Sequence, residues 1–173
     1  MSWSRAGLYS LLLLFLFIIQ ESAVSKINLP ITGFSLYLAV LLGLMAIEDN
    51  FGGAVVGFIG GIILDFSPSA DSPFGKWALV LTLVGYVFSL NSETIGDFTD
   101  RPASFVIFVS LGSIGTLITF LSLGVLLGEN NGALGHNFVM VFGNAFWTLL
   151  FAPLLLPPAI KWRQMTLTSR ERQ

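Results

Sequence analysis

The chain has no cysteine, a single histidine, and only 10% charged residues among its 173. Without cysteine there is no disulfide, no thiolate nucleophile and no sulfur-ligated metal. One imidazole, His136, is too few for a multi-histidine zinc or haem centre and leaves little scope for histidine acid–base chemistry. A soluble domain carries about 25% charged residues. Here 54% of the chain is hydrophobic, more than one water-facing core can hide, so lipid is the solvent for most of it. A net charge of −2 offers no basic surface for nucleic acid. No phosphate-binding glycine loop, no metal-ligand spacing and no Ser/His/Asp set is present. The expectation is a non-enzyme without cofactor or metal.

What the sequence does hold is one apolar run after another. Segments 6–24, 31–47, 52–66, 74–90, 103–127 and 137–160 read as six transmembrane helices, followed by a basic tail over 161–173. The nine residues LLLLFLFII in the first segment favour insertion by about 4 kcal/mol. Arg5, the leucines and Ala23-Val24-Ser25 also fit a cleavable signal peptide, and both readings stand. Glu48-Asp49 reads as a solvated acidic turn, and Asn91 to Pro102 as a polar loop. Gly124 and Gly128 form a four-spaced pair of small residues. Asn144 lies in an apolar run and must find a hydrogen-bond partner. Pro153 predicts a kink, and Pro157-Pro158 a nearby helix end. Six spans put both termini on one side. Arg5, Arg101, Lys161, Arg163, Arg170 and Arg172 fall there, against Lys26 and Lys76 opposite, so the termini are expected to face the cytoplasm. Several of these spans are short for a ~30 Å hydrocarbon core.

The most distinctive stretch is Gly52 to Tyr86. Gly53, Gly57 and Gly61 recur every four residues on one helix face, with Gly60 alongside and Gly85 in the next segment. Small residues at that spacing let another helix backbone come close, either from within the chain or from a partner. Asp65 closes the glycine-rich run. It reads either as a wetted helix end or as an anchor that accepts backbone N–H groups of the following loop or pairs with Lys76. Pro73 and Gly75 stiffen the turn, and Trp77 suits an interfacial aromatic belt.

This stretch resembles the bacterial rod shape-determining protein MreD family. That family is similar in having glycines between apolar residues, a closing Leu-Leu-Asp, a short polar turn, Pro-x-Gly, an apolar run and Gly-Tyr. Gly53, Gly57, Gly60, Gly61, Leu64, Asp65, Pro73, Gly75, Gly85 and Tyr86 stand at those places. Arg5, the leucine-rich opening and Gln20-Glu21-Ser22 are similar too. The chain departs in a longer turn after Asp65 and an acidic turn at Glu48-Asp49. The resemblance implies a non-catalytic, multi-pass subunit of the cell-elongation machinery in the bacterial cytoplasmic membrane. It would bind the bitopic shape protein MreC and, directly or through it, the SEDS-type glycosyltransferase and its transpeptidase. It also implies an all-α fold similar to the S-component of energy-coupling-factor transporters. An alternative follows from that similarity: a substrate-binding subunit of a vitamin transporter, with Asn137, Asn144 and the fifth-segment hydroxyls as its few polar candidates.

Overall fold

A computed structural model describes residues 3–22, 35–48, 51–67, 72–95, 102–129 and 134–166. Every regular element among them is a helix: α1 (Trp3–Ser22), α2 (Leu36–Ile47), α3 (Gly52–Asp65), α4 (Lys76–Ile95), α5 (Pro102–Leu126) and α6 (Leu134–Thr166). Side-chain contacts fix their directions. Arg5 of α1 meets Glu48, just past α2, while Gln20 at the other end of α1 meets Leu36 at the start of α2. Asp65 at the end of α3 meets the first turn of α4. Lys76 at the start of α4 meets Glu129, beyond the end of α5. Successive helices from α1 to α5 therefore run antiparallel.

The centre of the bundle is α2. Ten of its 12 residues are buried, from Tyr37 to Ile47. A helix that is apolar all round belongs inside, and α2 offers only Leu, Ala, Val, Met, Ile, Gly and one Tyr. Tyr37 places its hydroxyl on the Gly60 carbonyl oxygen at 2.9 Å, so its one polar atom is met. Tyr9 and Leu13 of α1, Val56 of α3, Leu81 of α4 and Phe105 and Val109 of α5 close around it, all fully buried.

Among the described residues, three helices are long and apolar enough to cross a membrane: Arg5–Ser22, Pro102–Leu126 and Gly135–Leu155. Six such helices were expected. The apolar stretches of the other three are Leu36–Ile47, Gly52–Asp65 and Lys76–Asn91, each shorter than 18 residues. At 1.5 Å per residue, the 12 residues of α2 reach only about 18 Å. Boundaries move as well. α2 begins at Leu36, because Ser35 is extended and its hydroxyl caps Leu38 N–H at 3.1 Å. α4 runs on through Asn91 to Ile95, into what reads from sequence as loop. α6 begins before His136, which is exposed, and continues through Pro153, Pro157 and Pro158 to Thr166. The two later prolines thus do not end it. A proline removes one intrahelical bond, and inside a membrane bundle neighbouring groups can make up that loss. Asp49, Ala23 to Phe34, Gly96 to Arg101 and residues 167–173 of the tail lie outside the described residues.

Close approach of α3 and α4 rests on glycine. A Cβ on Gly57 would lie 2.2 Å from the Leu81 carbonyl oxygen, and one on Gly61 2.4 Å from Ala78 Cα. Both obstacles are backbone and cannot swing away. Gly57→Ala should therefore lower unfolding stability by about 1–3 kcal/mol. Gly115→Ala, with nothing within 4 Å, should be neutral or raise it by up to about 1 kcal/mol through helix propensity. Thermal unfolding of both variants in detergent micelles, followed by circular dichroism, checks the contrast.

Candidate helix-packing and anchor site

The glycines of α3 serve two neighbours. Gly53, Gly57 and Gly61 face α4, where Gly85 returns the approach: a Cβ on Gly85 would lie 2.3 Å from the Gly53 carbonyl oxygen. Gly60 faces α2 instead, and a Cβ there would meet the Leu41 methyls at 2.6 Å. The four-spaced face is therefore covered from within the chain, and a partner helix cannot dock on it while α4 is in place. Gly128, expected as part of a packing pair with Gly124, has open space around it and φ of 77°. It turns the end of α5 in the left-handed region. Gly128 N–H bonds the Val125 carbonyl and Glu129 N–H bonds that of Gly124, the pattern of a Schellman cap.

Asp65 spans the α3–α4 turn. Its Oδ1 accepts from Trp77 N–H at 3.0 Å and its Oδ2 from Ala78 N–H at 3.1 Å. Both donors belong to the first turn of α4, where backbone N–H groups have no intrahelical partner and the helix dipole favours an anion. A carboxylate from one helix thus caps the next, fixing the turn at the point where the glycine face begins. Pro73 is exposed, and its carbonyl accepts from Lys76 N–H at 3.2 Å. Gly75 stands at φ 94° with nothing near its Cβ, so conformation rather than space requires glycine there. Tyr86, next to the inward Gly85, points outward and stacks on Phe51 with centroids 5.9 Å apart.

Lys76 does not pair with Asp65. Its ammonium group forms an ion pair with Glu129 and lies 3.9 Å from the centroid of Phe120, whose ring also stacks on Trp77 at 4.0 Å. The lysine is buried. A buried cation needs such a carboxylate and such a π face to replace its lost water.

Glu48 overturns the reading of its turn as solvated. It is 3% exposed. Arg5 Nη2 donates to both of its carboxylate oxygens, at 2.8 and 2.9 Å, and the Tyr9 hydroxyl donates to Oε1. Gly52 makes room, since a Cβ there would lie 2.7 Å from Glu48 Oε2. Arg5 and Tyr9 are one helical turn apart on α1, so a single face brings both donors to one carboxylate. At the far end of the same helix, Gln20 Oε1 accepts from Leu36 N–H at 3.0 Å and Glu21 Oε1 from the Ser67 hydroxyl at 2.9 Å.

Asn144 is buried, and its Oδ1 accepts from Ser113 Oγ at 2.9 Å and from Thr148 Oγ1 at 3.1 Å. Its amide oxygen joins α5 to α6. Thr116 and Thr119 bond carbonyls of their own helix four residues back, at 2.7 and 2.8 Å. Asn137 is half-buried near the start of α6. Of the polar groups raised as a carrier's binding set, Ser113 and Asn144 join α5 to α6, Thr116 and Thr119 bond within α5, and the Ser110 hydroxyl is buried without a hydrogen-bond partner. No cluster of metal-ligating side chains is found among the described residues.

No family model, no curated protein and no solved structure matches the chain.

Two measurements test these anchors. Asp65→Ala leaves two N–H groups of α4 without acceptors and should cost about 1–2 kcal/mol in micelles, with Asp65→Asn losing less because its one amide oxygen still accepts. At the other cluster, Glu48→Leu or Arg5→Met alone strands a buried charge and should cost about 3–5 kcal/mol, whereas the double variant should recover most of that. A double-mutant cycle with no coupling would show that the pair does not act as a unit.

Proposed function

We propose that the chain is a non-catalytic membrane scaffold of the MreD type, holding other membrane components of the bacterial cell-elongation machinery in place. One observation carries this reading. Six of the residues on which the resemblance rests form a single mechanical unit: Gly53, Gly57, Gly61 and Gly85 bring α3 and α4 together, Asp65 clamps their turn, and Gly75 shapes it. A motif that builds a rigid hairpin suits a protein whose task is to hold a shape. In this reading all six helices cross the cytoplasmic membrane, with both termini in the cytoplasm and a fold of the energy-coupling-factor S-component kind. The short α2, α3 and α4 require a locally thinned bilayer. The partners are an MreC-type bitopic protein and, directly or through it, the SEDS glycosyltransferase and transpeptidase.

Since α4 covers the glycine face, a partner's span must approach elsewhere. Helix α1 is the least covered of the three long helices, with 17% of its apolar window buried. Leu11, Phe15 and Ile18 follow one another along its open side and are more than 60% exposed. Small-to-large changes in α3 should therefore act on folding first and on partner binding only as a result.

Affinity purification of the tagged chain from native bacterial membranes is the test. Recovery of an MreC-type protein with wall synthases supports the scaffold, and Leu11→Ala/Phe15→Ala should lower that recovery severalfold without changing the yield of folded protein. Recovery of a paired ATPase and its membrane coupling subunit, with none of the wall proteins, would overturn the scaffold in favour of a small-molecule carrier.

A further inference from the structure

Helix α6 contains three prolines, Pro153, Pro157 and Pro158, and runs through all of them. Proline has no N–H, so each one leaves the carbonyl four residues earlier without its usual donor. The oxygens concerned are those of Leu149, Pro153 and Leu154. All three lie within Gly135–Leu155, the stretch of α6 long and apolar enough to cross a membrane. Proline is tolerated in a membrane helix where neighbouring groups supply the missing hydrogen bonds.

The chain does not supply them from its side chains. The packed side of α6 consists of Asn144, Ala145, Thr148, Ala152 and Ala159, all buried. The prolines stand on the open side: Pro153, Pro157 and Pro158 are exposed, as are Leu149, Leu150 and Leu154. A helical carbonyl points along the axis towards the residue that should bond it. Each freed oxygen therefore lies beside an exposed proline. Thr148, the nearest hydroxyl on the helix, donates to Asn144 at 3.1 Å. Among the described residues, no side chain donates to any of the three oxygens.

Three freed acceptors on an otherwise apolar face define the chemistry of what covers it. The occupant must bring hydrogen-bond donors and must itself suit hydrocarbon. Acyl chains have no donors. A cationic donor carries its own insertion penalty. Asparagine, glutamine, serine and threonine on a membrane-spanning helix meet both demands, since their side chains bond across helices in lipid. We propose that the proline-bearing side of α6 is a docking face for a membrane-spanning helix of another protein, whose uncharged amide or hydroxyl groups donate to the Leu149, Pro153 and Leu154 carbonyls. The face rests on α6 alone and is independent of the scaffold reading.

The full chain, labelled with a fluorophore, is reconstituted in phosphatidylcholine vesicles with a leucine-based transmembrane peptide carrying a second dye. One peptide has two asparagines four residues apart, and its control has leucine, nearly the same size, at both places. Energy transfer reports association, at dilutions where neither peptide associates with itself. The wild type is expected to bind the asparagine peptide about tenfold more tightly than the control, at about threefold per interhelical hydrogen bond. Pro153→Ala/Pro157→Ala/Pro158→Ala restores the three N–H groups and should erase that preference, with helicity by circular dichroism equal or higher. Should the triple variant misfold, Pro153→Ala alone should reduce the preference about threefold. In native membranes, a photoreactive residue in place of Leu150 should cross-link to a span of another protein that carries asparagine, glutamine, serine or threonine. Equal binding of the two peptides, a preference that survives in the folded proline variants, or cross-links only to lipid or to a second copy of the chain would overturn the proposal.

Discussion

A helix that cannot reach water at its ends must have those ends closed by its neighbours. α2 is in that position: it is about 18 Å long, and ten of its 12 residues are buried. A buried backbone group left unmet there would cost about 1–3 kcal/mol. Helix α1 deals with both ends at once. Gln20 accepts from the Leu36 N–H, and Arg5 with Tyr9 holds Glu48 where the chain leaves α2. The polar residues of α1 are thus separated by about the length of the helix they bracket. The remaining helices pack round a rod whose ends are already closed.

The glycine-faced hairpin of α3 and α4 is the second constraint. Packing in lipid has no hydrophobic drive and depends on contact area, so two backbones in touch gain what larger side chains would forfeit. The clamp at Asp65 sets the angle and the register at which those backbones meet. Charges follow a common pattern throughout the bundle. Arg5 with Glu48 and Lys76 with Glu129 are each paired close to a helix end, and Asp65 faces backbone donors. These groups tie helices together.

Much of this was legible in the sequence, and the missing parts have physical causes. Six helical segments follow from hydropathy, since hydrocarbon demands internally bonded backbone. The four-residue spacing of Gly53, Gly57 and Gly61 shows a close-packing face but does not say which helix covers it. Asp65 could be read as an acceptor for the next loop's N–H groups because the carboxylate stands just before a helix start. The partners of Glu48 and Lys76 lie 43 and 53 residues away, and no local pattern announces them. Glu48 looks solvated because it sits in an acidic turn; only the fold brings Arg5 to it. Gly128 at four-residue spacing from Gly124 imitates a packing pair, and its true role depends on a backbone angle that spacing does not encode. Pro157-Pro158 does not end α6, which runs on to Thr166, because local propensity is only a weak guide to where a helix stops.

The two ion pairs also bear on how the protein is made. Arg5 is synthesised 43 residues ahead of Glu48, and Lys76 53 residues ahead of Glu129. At ~5–20 residues per second, each cation waits roughly two to ten seconds for its counter-charge to leave the ribosome. Neither can settle into its buried place before then, so α1 stays loosely held until α2 is complete and the start of α4 until α5 is complete. The early helices must therefore stay within reach of the later ones until each counter-charge has been made.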